Sequence, residues 1–150
     1  VLPDRLNSLR DAYTQVITNV RNEPGLESLP IIVHGYDYTF PFPHFENDPR
    51  NPRHAANNEW LGQPLDQRNF PRATQAQRDL RRNIVIRLID QLYDMLDGLA
   101  QVHSNVLVVD CRGAMPDVTD WTDEIHGTDE GFAKVTQRFR AALTDALMGA

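Results

Sequence analysis

Two short apolar runs constrain this chain more than any other feature. Ile31–Val33 and Val106–Val109 are brief, rich in β-branched residues and bounded by turn-forming residues. Such runs read as strands buried on both faces. Each is followed at once by polar residues: His34, Tyr36 and Asp37 after the first, Asp110 and Arg112 after the second. Between them, in residues 74–101, Leu80, Ile84, Leu88, Leu92, Met95, Leu96 and Leu99 keep the spacing of a helix. Strand, helix, strand implies a parallel pair.

Two further helices flank this unit. Residues 4–22 carry Leu6, Leu9, Tyr13, Val16, Ile17 and Val20 along one stripe, with Pro3 and Asp4 at the start and "NEPG" as the stop. Residues 129–147 place Phe132, Val135, Phe139, Leu143 and Leu147 inward, with Thr128 as N-cap. Three wide apolar stripes call for more β surface than two strands supply. The expectation is therefore a three-layer α/β/α parallel sheet, present only as its C-terminal half, in a single domain over residues 1–150. Its core should include Ile31, Val33, Leu88, Leu92, Val106, Val108, Phe132 and Phe139.

Residues 39–72 are different material, holding six of the ten prolines together with several Asn and Asp residues. They read as a long irregular excursion with at most one short helical turn, the kind of segment that forms lids and binding loops. Phe40, Phe42, Phe45 and Trp60 within it are candidates to line an acyl or sugar pocket, or to serve as anchors of a small local core.

Composition narrows the function classes. An apolar fraction of 41% and a charged fraction of 24% suit a packed globular domain. A net charge of −6 argues against binding a phosphate backbone. The densest basic stretch, "RDLRRN" at 78–83, reads as a solvated helix face. There is no bilayer-spanning run and no leader pattern, so a soluble, cytoplasmic protein is expected. The single cysteine, Cys111, excludes an internal disulfide framework.

Chemistry concentrates in "DWTDEIHGTDEGF", residues 120–132. In open parallel sheets, ligands lie beyond the carboxyl ends of strands. His34, Asp37, Asp110, Asp123 and His126 all follow such ends and should cluster there. Asp123 and His126, three residues apart on a tight loop, can meet directly, making a general base and its orienting acid. The plainer alternative has Asp123 capping a turn and His126 idle at a helix entrance.

"VLVVDCRG" followed by "WTDEIHGTDEGFAKVTQRF" resembles the C-terminal block of the SGNH/GDSL hydrolases, and "IIVHGYDYTFP" resembles the strand and loop before it in one branch of that family. The family's block has a tryptophan two residues before Asp or Asn, a His three residues on, then Pro, Ser or Thr, and a Gly-aromatic pair. Gly127 stands where the family usually has Pro. The resemblance implies a flavodoxin-like sheet, ester or acyl substrates and no cofactor. Asp123 and His126 would be two members of a serine triad, with His34, Tyr36, Asp37 and Trp60 on the substrate side.

The family's Gly-Asp-Ser nucleophile segment and its Gly-x-Asn-Asp block are not in this sequence. Ser8 lies in a helix, Ser28 in a linker and Ser104 before the second strand. Cys111 holds what is ordinarily a packing position. The nucleophile and oxyanion segments are therefore expected upstream of Val1, and the chain by itself should be inactive. Two rivals remain. One is a non-catalytic binding or assembly module whose sheet edge is covered by the upstream segment or a second copy. The other is a metal site drawn from His34, His44 and His54 with Asp37 and Asp48, although the spacing matches no known ligand pattern.

Overall fold

A computed structural model describes residues 2–50 and 60–148. Strands β1 (Ile31–His34) and β2 (Val106–Val109) pair in parallel, in register from Ile31 with Val106 to His34 with Val109. The helices among the described residues are α1 (Leu2–Asn22), α2 (Gly62–Gln67), α3 (Gln75–Val102) and α4 (Asp129–Met148), with a 3-10 turn at Val118–Asp120.

The expected three-layer α/β/α sheet is not what forms. Among the described residues the sheet has two strands of four residues each, against helices of 21, 6, 28 and 20 residues. The reason lies in the sequence pattern. Only residues 31–34 and 106–109 offer short β-branched apolar runs, and the prolines of 39–72 cannot donate to a ladder. That excursion is irregular where described, apart from α2.

The chain divides into two compact units, one of Val1–Gly35, Asp90–Asp110 and Phe139–Ala150, the other of Tyr36–Ile89 and Cys111–Arg138. In the first, Ile17, Val33, Tyr93, Leu96, Leu99, Val106 and Val109 are buried around the strand pair. Gly35 lets the chain pass close to Tyr93: a Cβ there would lie 2.9 Å from the ring, and the Gly35 amide donates to the Tyr93 hydroxyl at 3.3 Å. Arg21 closes the end of α1 by donating to the carbonyls of Leu29 and Ser104. Along α1 only Ile17 is buried, while Leu9 and Val16 stay exposed.

The second unit is built around Phe40, Met115, Val118 and Trp121, with Val135 packed on them. Of the expected core, Val33 and Val106 are buried and Ile31, Leu92, Val108 and Phe139 half-buried, but Leu88 and Phe132 are exposed. On α3 the inward face is turned by one residue from the leucine stripe and runs Arg78, Arg81, Val85, Ile89. The basic stretch is thus not a solvated face. Arg81 is 1% exposed and donates to the Gly62 carbonyl at 2.8 Å and to Asp66 at 2.9 Å, while Arg78 donates to the carbonyls of Arg72 and Ala73. Guanidinium forks serve carbonyls of the segment that precedes α3, so arginine displaces leucine from the inner face.

Candidate active site

Residues 111–132 form a folded loop centred on Trp121. Its indole is buried and donates to the Met115 carbonyl at 3.2 Å. Trp121 and Gly127 face each other in an antiparallel bridge, made by Thr122 N–H to the His126 carbonyl at 2.8 Å and Thr128 N–H to the Asp120 carbonyl at 2.7 Å. The Gly127 amide takes no part in that bridge, so a proline there would remove none of its hydrogen bonds. Thr128 caps α4, its hydroxyl accepting the Gly131 amide at 3.1 Å. A Cβ on Gly131 would stand 2.3 Å from the Asp120 carbonyl oxygen, which accounts for glycine in "DEGF". Asp120, buried, receives Lys134 on both oxygens at 2.7 Å and so ties the loop to the helix.

Within this frame Asp123 and His126 meet. His126 Nδ1 lies 2.7 Å from Asp123 Oδ2, while Asp123 Oδ1 accepts the amides of Ile125 at 2.8 Å and His126 at 2.7 Å. Burial alone would raise the Asp123 carboxyl. The two amides and the imidazole outweigh it and hold the group below its ordinary value of 3.8. An ionised carboxylate only accepts, so Nδ1 carries a proton, and in the neutral ring the lone pair is at Nε2. Among the described residues nothing bonds to Nε2, and the His126 side chain is 56% exposed against 15% for Asp123. A held ring with one open basic nitrogen can accept a proton from a nucleophile.

Two buried charged side chains fix the loop from outside. Glu124 is 1% exposed, and its carboxylate accepts the amides of Phe42 at 2.7 Å, Leu61 at 2.9 Å and Gly62 at 2.9 Å. Arg50 donates to the Asp123 carbonyl at 3.0 Å and the Phe40 carbonyl at 2.8 Å, and forms a fork with Asp48 at 2.9 and 2.7 Å. Burial would raise Asp48, but Arg50 and the His44 amide bring it below 3.8. Sequence reasoning missed both Glu124 and Arg50. Glu124 gave one signal, an acidic residue beside Asp123 and three places from Trp121; Arg50 gave none.

The remaining expected site residues fall as follows. Trp60 is 53% exposed with its ring edge-on to His126, centroids 6.2 Å apart. Tyr36 is exposed, in the same unit. Asp37 is buried and accepts the amides of Tyr38, Gly113 and Met115, so its carboxylate is taken up in joining the two post-strand loops. His34 and Asp110 belong to the other unit, His34 lying edge-on to Phe139 at 5.0 Å. Ser8 donates to the Asp4 carbonyl within α1, Ser28 and Ser104 also lie in that unit, and Cys111 is buried. Among the described residues no group of three or more His, Cys, Asp or Glu side chains is placed to hold a metal, and His54 lies outside those residues. No described helix is long and apolar enough to cross a membrane. No family model matches the chain, and no curated protein or solved structure matches it.

Proposed function

We propose that Asp123 and His126 are the orienting acid and general base of an acyl-transfer site of the SGNH/GDSL serine-hydrolase kind, acting on an ester or acyl group. The observation that carries this reading is the divided carboxylate of Asp123, with one oxygen holding the loop and the other holding Nδ1, so that Nε2 faces outward. Trp60, edge-on to the imidazole, is an aromatic wall for a substrate. The serine nucleophile and its oxyanion donors come from polypeptide other than these residues. The apolar side chains left exposed, Leu80, Leu88 and Phe132 among them, favour a surface that such polypeptide covers.

The chain alone should hydrolyse p-nitrophenyl acetate no faster than its His126→Ala variant. A general base contributes about 10²–10⁴-fold, but only on a nucleophile within reach. The oxyanion donors, each of order 10²–10³-fold, are absent as well. A reading frame extended to include a Gly-Asp-Ser segment should be labelled by a fluorophosphonate, and His126→Ala should abolish that labelling. Labelling of Ser8, Ser28 or Ser104 in the 150-residue chain would overturn the assignment. An unlabelled extended protein would leave a non-catalytic binding module, the reading that the same exposed apolar residues would then support.

A further inference from the structure

The backbone that follows Trp60 is held by a group outside the acid–base pair. Asp123 and Glu124 are consecutive, yet their carboxylates do different work. That of Asp123 turns to the imidazole, and that of Glu124 turns inward to backbone amides 82, 63 and 62 residues away in the chain. Two of those amides, Leu61 and Gly62, directly follow Trp60. They are also the first donors of α2, whose N-cap residue Leu61 has no side-chain cap of its own. Glu124 supplies that cap from another segment. A carboxylate 1% exposed has no water to fall back on, so the three amides and Glu124 hold each other in place.

We propose that Glu124 is the positioning residue of this site: it fixes the backbone at Leu61–Gly62 and thereby keeps the Trp60 ring edge-on to His126, setting the side from which an acyl substrate can approach Nε2. The assignment rests on His126 as base for its meaning in catalysis, though not for its geometry. Arg50 completes the arrangement by holding the Asp123 carbonyl, the backbone group next to Glu124.

The test reads geometry rather than turnover. A protonated imidazole quenches a neighbouring indole more strongly than a neutral one, so Trp60 emission should fall in one step as His126 takes up a proton. The step should vanish in His126→Gln and in Trp60→Phe, in which Trp121 is the remaining emitter. In folded Glu124→Gln, which keeps one acceptor oxygen, the amplitude should drop by about half, and in Glu124→Ala it should be nearly lost. A merely structural Glu124 would lower the melting temperature and leave the amplitude of the folded protein unchanged, and that result would overturn the proposal.

Amide exchange gives a second measurement, whose first part, on the unaltered chain, no folding defect can obscure. The Leu61 and Gly62 amides should be protected, and protection should fall about 10- to 100-fold in Glu124→Gln, as for loss of a charge-assisted bond. Unprotected amides in the native chain would also overturn it. Because neither readout needs catalysis, an intact quenching pattern together with an extended, Gly-Asp-Ser-containing protein that a fluorophosphonate leaves unlabelled would remove the base assignment and keep the positioning role.

Discussion

Helix α1 and the loop at 111–124 make an instructive pair. The helix is the most regular part of the first unit, yet only Ile17 among its 21 residues is buried. In the irregular loop, Cys111, Ala114, Met115, Val118, Asp120, Trp121 and Glu124 are all buried. A helix satisfies its own backbone and needs partners only for its apolar stripe. A loop leaves amides and carbonyls open, and can fold tightly only where distant side chains close them. Regularity and tertiary fixation are therefore separate properties, and here they lie in opposite places.

The largest test of that contrast is removal of Arg50. Arg50→Ala leaves Asp48 buried without its partner and frees the carbonyls of Phe40 and Asp123, and should cost about 3–5 kcal/mol in urea unfolding. Arg10→Ala in α1, whose pair with Asp11 is 3.8 Å apart and exposed, should change nothing measurable. Equal losses would mean that the loop is no better fixed than the helix.

The two glycines Gly131 and Gly98 sharpen the comparison. Gly131→Ala drives a methyl into the Asp120 carbonyl and should destabilise by about 1–3 kcal/mol. Gly98 sits inside α3 with open space where its Cβ would be. Gly98→Ala should stabilise by about 0.5–1 kcal/mol. Thermal melts of the two variants should move in opposite directions.

Acid should strike the second unit through His44. Burial first, then Arg82, depresses its imidazole below the ordinary 6.5, with Arg50 adding to that and Asp79 and Asp48 opposing it. A depressed value means that the unfolded chain takes the proton first. Stability from this group is complete above pH 6.5 and is lost as pH falls toward its folded value. His44→Phe should flatten that stretch of the stability–pH curve. It should leave the later loss below 3.8, where Asp48 and Asp123, also depressed, become protonated. The smallest effect belongs to Val16→Ala at 59% exposure in α1, within about 0.5 kcal/mol of zero.

The sequence announced what is local. Ile31–Val33 between Pro30 and Gly35 could be little but a strand, and the spacing of Leu6, Leu9 and Tyr13 specified α1. Asp123 with His126 was legible because the two partners are three residues apart and need only a tight loop. The number of strands was not legible, because an apolar stripe indicates a face to be covered without saying what covers it. Leu88 and Phe132 show the error that follows. Glu124 and Arg50 were hidden for a different reason. Their partners are backbone groups, which every residue carries, so no side-chain pattern marks the pairing of Glu124 with Phe42 or of Arg50 with the Asp123 carbonyl.

The division of the Asp123 carboxylate has a bearing on heredity. Its Oδ1 maintains the turn and its Oδ2 sets the hydrogen on the imidazole. An asparagine at this position would keep the first oxygen and present an NH₂ group where the second had been. The turn would survive, but the ring would accept at Nδ1 and carry its hydrogen at Nε2, reversing its polarity toward anything outside. A single transition in one codon can thus reverse the polarity of the imidazole while the loop is passed on intact. Descendants of such a chain would keep the shape of the loop and present a donor where there had been an acceptor.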